Sequence, residues 1–286
     1  VVGSIPTGLT NFSGTDKRSD MATNQLSNIA DEFAQYGYCL ARGLFAEAEL
    51  GAMEAEFDRI AAQIQTAHES VDATWRGASI EKIKAKDDRI LHTHNVHRFS
   101  SVWLQAIQNP RFLDAVSEIL GPDIVLNHTK LFLKPPEKGS PFPMHQDWTY
   151  FPTFNDTMMA AIIHLTEATD EMGCVRAYPG SHQLGRVLGT GGQTAIAQET
   201  LQKYPIEGAT VLEAERGDVV LFSYFTLHGS MPNRSSKSRK TVLVQMYAGS
   251  DRMEEGVSHP DERLTLRGWN YQMTRKRAVK NNTLES

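Results

Sequence analysis

The stretch Phe142-Pro143-Met144-His145-Gln146-Asp147, with Leu227-His228-Gly229 far downstream, decides the fold of this chain. Side chains alternate between the two faces of a strand, so His145 and Asp147 are expected to project from the same face. His228, from a distant strand, would add a third ligand on one side of a metal ion. Two histidines and one carboxylate, with open positions beside them, are typical of non-haem Fe(II) sites. The His-x-Asp spacing alone is weak evidence, so the interpretation depends on the surrounding residues.

Further motifs accompany these residues in a definite order along the chain. They are Leu131-Phe132-Leu133-Lys134-Pro135-Pro136, Glu171-Met172-Gly173-Cys174, Tyr178-Pro179-Gly180-Ser181-His182, Gly217-Asp218-Val219-Val220-Leu221-Phe222, His228-Gly229-Ser230 and Arg239. Taken together, these motifs resemble the phytanoyl-CoA dioxygenase family of Fe(II)/2-oxoglutarate-dependent oxygenases. The resemblance covers roughly Asn127 to Met246, and a weaker similarity lies at Tyr36-Gly37-Tyr38.

The resemblance implies an enzyme that uses Fe(II), with 2-oxoglutarate and O2 as co-substrates, to hydroxylate or otherwise oxidise a C–H bond of a small molecule. Succinate and CO2 would be released. His145, Asp147 and His228 would bind the iron. Arg239 would bind the distal carboxylate of 2-oxoglutarate, since a guanidinium can form two parallel bonds to a carboxylate, and Ser230 would assist. The identity of the substrate stays open, as does the choice among hydroxylation, desaturation, cyclisation and epoxidation.

Other residues are weaker candidates for contacts in the same site. Asn127 and Thr129 lie two residues apart on a predicted strand, where the family places co-substrate contacts, and should share one face. Four residues are candidates for substrate contact: Trp148, Tyr150, His94 and Lys134. Ordinary sheet packing is an equal alternative for the two aromatic residues, and Lys134 could equally be structural. Arg239 is expected to open a strand that pairs beside the strand of His228.

The composition is that of an ordinary globular chain of 286 residues, with 40% hydrophobic and 22% charged residues. A net charge of -5 offers no basic surface, which argues against nucleic acid or an anionic membrane as partner. No apolar stretch reaches the length of a membrane span. Cys39 and Cys174 are expected to be buried free thiols, which favours a reducing compartment, the cytoplasm. The expected partner is a small-molecule substrate, and the chain is expected to be a monomer or a dimer.

The segments after Gly121 are short, rich in β-forming residues and separated by turns, which predicts a double-stranded β-helix of the jelly-roll, cupin-like type. The fold class is therefore α+β with a mainly β core, and the amino-terminal helices should pack on one sheet. The predicted helices are Asn24–Gln35, Ala46–Glu69, Ser100–Gln108 and Pro110–Leu120. The predicted strands are Tyr38–Arg42, Ile124–Lys134, Met158–Thr166, Val175–Tyr178, Thr210–Leu212, Asp218–Phe222 and Thr241–Tyr247.

The predicted domain organisation is a flexible tail, residues 1–20, followed by a single catalytic domain, residues 21–286. That domain would comprise a helical part (21–121), the double-stranded β-helix (122–250) and a carboxy-terminal loop and helix (251–286). Residues 71–95 are predicted to be irregular. The insertion Gly185–Tyr204 is either a segment that closes over the substrate or a plain connector.

An alternative function uses the same three ligands without oxygenase chemistry. The chain would then be a cupin-type metal-binding protein or an isomerase. Consumption of O2 and 2-oxoglutarate in the presence of iron distinguishes the two, because neither alternative needs them.

Overall fold

The computed structural model of the chain describes residues 28–66, 89–187, 198–255 and 260–273. Their strands form two antiparallel sheets, one of seven strands and one of four. In chain order the strands are β1 (Tyr38–Ala41), β2 (Leu91–His94), β3 (Ile124–Lys134), β4 (Phe142–His145), β5 (Met159–His164), β6 (Val175–Ala177), β7 (Thr210–Leu212), β8 (Val219–Ser223), β9 (His228–Ser230), β10 (Arg239–Ala248) and β11 (Leu264–Arg267).

The order of strands identifies the fold. The larger sheet has the order β1-β8-β5-β10-β3-β11, with β2 also paired to β3, and the smaller sheet has the order β4-β9-β6-β7. Strands that are distant in sequence are neighbours in both sheets, as expected when a jelly roll is wound from antiparallel pairs. The predicted double-stranded β-helix core is confirmed.

Helices cover residues 28–36 (α1), Glu47–Thr66 (α2), Ser101–Ala106 (α3), Pro110–Leu120 (α4) and Gln198–Lys203 (α5). Short 3-10 helices cover Val96–Arg98, Asp147–Thr149, Ser181–Leu184, Ile206–Gly208 and Tyr271–Met273. The bounds of α4 have local causes. The Asn109 side chain accepts hydrogen bonds from the first backbone N–H groups, and Gly121 ends the helix at φ 80°. No helix in the described part of the chain is both long enough and apolar enough to span a bilayer.

The main hydrophobic core lies between the amino-terminal helices and one face of the larger sheet. Phe57 of α2 and Phe112 of α4 are fully buried there with Val242 and Val244 of β10. The alternate residues of β10 point to the other face, toward the smaller sheet. The predicted packing of the helices on one sheet is therefore confirmed. Cys39 and Cys174 are both buried and unpaired, as expected.

Some predicted elements were wrong. Residues 91–94 form strand β2, although residues 71–95 were predicted to be irregular, and 71–88 lie outside the described residues. Residues 264–267 form strand β11 in a segment predicted to be loop and helix. Both strands pair with β3, which is distant in sequence. A short segment that becomes a strand only through such pairing carries no strong local pattern.

Candidate active site

The three predicted metal ligands lie together beside the paired strands β4 and β9 of the smaller sheet. His145 ends β4 and His228 begins β9, and the register places the two residues directly opposite each other. Asp147 Oδ1 lies 3.3 Å from His145 Nε2 and 3.8 Å from His228 Nε2. One ligand atom from each residue lies within 4.8 Å of the other two. This spacing fits one metal ion held by two imidazoles and a carboxylate.

The prediction that His145 and Asp147 share one strand was wrong in detail. β4 ends at His145, and Asp147 is the first residue of a 3-10 helix. The intervening Gln146 is still extended, with φ -116° and ψ 140°. Its side chain amide donates to the backbone oxygens of Gly185 and Phe225, which holds this residue in place. The two ligands therefore reach the same side even though the strand has ended between them.

Backbone carbonyls orient both imidazoles. His145 Nδ1 lies 2.8 Å from the Pro143 oxygen, and His228 Nδ1 lies 2.9 Å from the Thr226 oxygen. A carbonyl can only accept, so each Nδ1 carries the proton and each Nε2 lone pair is available toward Asp147. A metal-binding histidine is held in this way in proteins generally, with its other nitrogen bonded to a carbonyl or carboxylate.

Burial lowers the pKa of His228 to about 4, and the neighbouring His145 acts in the same direction. For Asp147, burial alone would raise the pKa, but the two histidines outweigh it and the pKa falls to about 2. At neutral pH the site therefore presents a neutral imidazole at His228 and an anionic carboxylate. These are the protonation states that metal ligands require.

A cavity of about 180 Å3 lies between the two sheets and includes the three ligands. Four of the other predicted site residues line it: His94, Tyr150, Ser230 and Arg239. Burial raises the pKa of Tyr150 to about 12, and the charge of Asp147 adds to that effect, so its phenol stays protonated. The predicted metal ligands and Arg239 therefore line the same cavity.

Arg239 is the first residue of β10 and is buried. The prediction that Arg239 opens a strand beside that of His228 was wrong. β10 pairs with β3 and β5 in the larger sheet, whereas His228 lies in the smaller sheet. Its Nη1 donates to the Gly173 carbonyl, while its Nε is buried without a hydrogen-bond partner in the described residues. Burial lowers the pKa of Arg239 to about 10. A guanidinium with an unsatisfied N–H group on a cavity wall fits the carboxylate of 2-oxoglutarate.

Asn127 and Thr129 do not lie in the cavity, contrary to prediction. The pairing of β3 with β10 skips Asn127, because Gln245 pairs with His128 and Met246 with Leu126. This β-bulge shifts which residues face the smaller sheet. The Asn127 amide donates to Asp261, and the Thr129 hydroxyl lies 2.9 Å from a nitrogen of His97 on the opposite face.

Two predicted substrate contacts, Trp148 and Lys134, do not line the cavity and form hydrogen bonds with other residues of the protein. Trp148 packs in a hydrophobic cluster beside the cavity, and its Nε1 donates to Gln146 at 2.8 Å. Lys134 is fully buried, and its ammonium donates to Ser230 Oγ at 2.6 Å and to the Met231 carbonyl at 2.7 Å. Lys134 therefore orients Ser230, which does line the cavity.

The prediction missed most of the cavity wall. The missed residues on the larger sheet are His128, Lys130, Phe132, Ile162, Phe222, Thr241 and Leu243. His128, Lys130 and Phe132 are every second residue of β3 and share one face of that strand. Thr241 and Leu243 are every second residue after Arg239 on β10 and share a face with it. Counting in twos from Arg239 would have found the β10 residues, but the bulge hides the corresponding start on β3. The insertion Gly185–Tyr204 lies partly outside the described residues, at 188–197.

The sequence model for phytanoyl-CoA dioxygenase (PhyH) matches residues 33–241, more than half of the chain. The chain belongs to the phytanoyl-CoA dioxygenase family. As a family member it is a 2-oxoglutarate-dependent dioxygenase, with iron as its metal and 2-oxoglutarate as its co-substrate.

Similar proteins differ widely in their names. This family member is 28% identical over 229 residues to a probable alpha-ketoglutarate-dependent hypophosphite dioxygenase of Stutzerimonas stutzeri, with 77% of each chain covered. It is 26% identical over 236 residues to the peroxisomal phytanoyl-CoA dioxygenase of Homo sapiens, and the match covers 77% of this chain and 67% of the human protein. The epimerase SnoN, solved with Fe3+, alpha ketoglutarate and nogalamycin RO, shares the fold. Its TM-score is 0.67 at 18% identity, with 87% of this chain and 96% of that chain covered.

Proposed function

We propose that this dioxygenase hydroxylates or otherwise oxidises a C–H bond of a small molecule and releases succinate and CO2. His145, Asp147 and His228 bind the iron, and Arg239 binds the distal carboxylate of 2-oxoglutarate. The single observation that carries the proposal is the convergence of the three ligand atoms within 4.8 Å. Bound iron supplies the activation of O2. The protein supplies the geometry around it.

The residues around the three ligands support this assignment of roles. The Pro143 and Thr226 carbonyls hold both imidazoles with Nε2 toward Asp147. The smaller sheet and the apolar wall opposite, which includes Phe222 and Leu243, surround the ligands. A preorganised site with an apolar wall of this kind helps to protect reactive species from water and to orient both substrates.

Arg239 favours an oxygenase over a metal-binding protein or an isomerase. Among the described residues, the buried Nε–H of Arg239 has no acceptor, and such a group costs free energy unless a ligand uses it. Neither alternative function has a need for a carboxylate-binding group at this position. A 2-oxoglutarate-dependent enzyme does, because its co-substrate carries a second carboxylate away from the metal.

The cavity favours a small substrate. Pockets for drug-sized ligands measure roughly 300 to 1,000 Å3. The cavity here is about 180 Å3, and co-substrate must share it. The similar proteins carry the names of a hypophosphite dioxygenase and a phytanoyl-CoA dioxygenase, which differ greatly in substrate size. The volume supports a substrate that is small, as hypophosphite is, over one as large as phytanoyl-CoA.

The two cysteines support a reducing compartment, and we assign the enzyme to the cytoplasm on that basis. Burial raises the pKa of Cys39 to about 12 and that of Cys174 to about 11, so both thiols stay protonated. Neither Cys39 nor Cys174 is paired in a disulfide, as is usual for proteins of a reducing compartment.

Removal of single ligands tests the proposed function. His145→Ala and His228→Ala should each abolish Fe(II) binding, measured as metal content after dialysis, and with it the formation of succinate from 2-oxoglutarate. His182→Ala is a matched control, because His182 contacts the Ala34 carbonyl away from the metal ligands. Retention of iron and succinate formation in either ligand variant would contradict the assignment.

A further inference from the structure

Lys130 is a cation of the cavity wall that the proposed function does not use. It lies on β3, paired across the sheet with His94 on β2 and with Leu243 on β10, and all three residues line the cavity. In the described part of the chain its ammonium has no hydrogen-bond or ion-pair partner, and its recorded contact is the Phe132 ring at 5.0 Å. A partly buried ammonium without a partner costs free energy unless a ligand compensates it.

The lysine four residues further along the same strand shows what a structural lysine looks like here. The ammonium of Lys134 has three acceptors: Ser230 Oγ, the Met231 carbonyl and the Gly173 carbonyl at 3.3 Å. That of Lys130 has none of this kind in the described residues. Burial lowers the pKa of Lys130 to about 8, and the Asp147 carboxylate opposes this effect. The described residues therefore supply Lys130 with no acceptor of the kind that Lys134 has.

The position of Lys130 separates it from Arg239, which we assign to the distal carboxylate of 2-oxoglutarate. Arg239 pairs with Lys134, and Leu243 pairs with Lys130. Arg239 and Lys130 are therefore four residues apart along the sheet. At roughly 3.3 Å per residue their backbones are about 13 Å apart. The charge of Asp147 affects the pKa of Lys130, whereas that of Arg239 responds to burial and to Cys174. Lys130 thus lies on the metal side, away from the end where Arg239 holds the co-substrate.

The charges in the site lead to the same conclusion. The charges of Fe(II), Asp147, Arg239 and doubly anionic 2-oxoglutarate sum to zero. The ammonium of Lys134, the other lysine of β3 close to the cavity, is held by Ser230 and two backbone carbonyls. In the described residues, Lys130 is therefore the lysine of the cavity wall that lacks such acceptors. A substrate with one anionic group would neutralise it, while a neutral substrate would leave a partly buried cation without a counter-charge.

We propose that Lys130 binds an anionic group of the primary substrate, a carboxylate or a phosphorus oxyanion, and so determines substrate class. The proposal rests on the proposed function, since it assumes that Arg239 and iron hold 2-oxoglutarate. Lys130 anchors one end of a small anion while the apolar wall that includes Phe132 and Leu243 receives the remainder.

The test uses the enzyme loaded with Fe(II) and saturating 2-oxoglutarate in the absence of oxygen. Propionate, methylphosphonate and the neutral propionamide are titrated separately. Two signals are followed: the midpoint of thermal unfolding and the visible absorption band of the Fe(II)/2-oxoglutarate complex. The variants are Lys130→Met, which keeps the length without the charge, Lys130→Arg, which keeps the charge, and the exposed Lys138→Met as control.

An anion should raise the unfolding midpoint and perturb the band in the wild type, while propionamide should do neither. Lys130→Met should weaken the apparent affinity for the anion roughly ten-fold to a hundred-fold, because a charge-assisted hydrogen bond is lost. Lys130→Arg should retain most of that affinity, and Lys138→Met should match the wild type. Tighter binding of propionate indicates a carboxylate substrate, and tighter binding of methylphosphonate indicates a phosphorus oxyanion.

Several results would overturn the proposal. They are the absence of anion binding in the wild type, equal binding of propionamide, and unchanged anion binding in Lys130→Met. Loss of 2-oxoglutarate affinity in Lys130→Met, or loss of the band when an anion is added, would assign the anion to the co-substrate site instead. A wild type that binds neither Fe(II) nor 2-oxoglutarate would contradict the proposed function itself, which is a separate outcome.

Discussion

Replacement of Arg239 by methionine should separate co-substrate binding from stability. Methionine keeps an unbranched, flexible side chain but is shorter than arginine and lacks the guanidinium. In the protein without 2-oxoglutarate, the Nε group of Arg239 has no partner in the described residues, and one Nη1 bond to Gly173 remains. We therefore expect Arg239→Met to impair the binding of 2-oxoglutarate far more than it affects folding.

The structure allows both magnitudes to be worked out. Burial lowers the pKa of Arg239 from 12.5 to about 10, which corresponds to about 3 kcal/mol against the charged form in the folded protein. Relief of that cost offsets the lost packing and the lost bond to Gly173, so the free energy of unfolding should change by about 1 kcal/mol or less. A lost bidentate charged pair with the co-substrate costs roughly 1.5 to 4 kcal/mol, so the Kd for 2-oxoglutarate should rise roughly ten-fold to a thousand-fold.

The assay is an anaerobic titration of 2-oxoglutarate into the Fe(II)-loaded enzyme, alongside urea unfolding of the protein without co-substrate. Arg234→Met is the control, because Arg234 is an exposed residue of the same basic run. Arg239→Lys should lie between the wild type and Arg239→Met, since lysine keeps the charge but not the paired geometry. An unchanged Kd in Arg239→Met, or a fall of roughly 3 to 5 kcal/mol in its unfolding free energy, would refute the reasoning.

Three further changes test other parts of the site. Gly173→Ala should lower the unfolding free energy by roughly 1 to 3 kcal/mol and weaken 2-oxoglutarate binding, because the φ of Gly173 is 65° and a Cβ would overlap a backbone carbonyl. Gly43 has the same φ but lies in open space, so Gly43→Ala should lower the unfolding free energy less and leave 2-oxoglutarate binding unchanged. Trp148→Phe should lower the unfolding free energy, measured with urea, by roughly 1 to 2 kcal/mol, because the hydrogen bond from Trp148 Nε1 to Gln146 is lost. A raised substrate KM without loss of stability would instead indicate that Trp148 contacts the substrate. Burial, followed by the charge of Arg239, lowers the pKa of His164 from 6.5 to about 4. The free energy of unfolding should therefore fall as the pH drops from 6.5 toward 4, by roughly 3 kcal/mol at most, because the unfolded state binds the proton first. His164→Gln should flatten that part of the stability-versus-pH curve, and an unchanged slope would contradict this assignment.

The grouping of the three candidate metal ligands and the presence of Arg239 on the same cavity could be predicted from sequence because each belongs to a short local motif. His145 and Asp147 are two residues apart, and the extended conformation of Gln146 keeps them on one side although the strand ends there. The roles of Asn127 and Thr129 could not be predicted in this way. Their placement depends on a bulge opposite Gln245 and Met246, and a bulge is a property of two paired strands.

The sequence by itself determined the chemistry of the ligands, the caps of helices such as α4 and the alternation along β10, because each depends on neighbours within a few residues. Tertiary structure alone decided which lysine of β3 is satisfied. Lys130 and Lys134 lie on one strand, yet the backbone that folds around Lys134 supplies its acceptors, while Lys130 is left facing the cavity. The physical reason is that burial and hydrogen bonding are set by segments distant in sequence, and these meet only when the two sheets pack together.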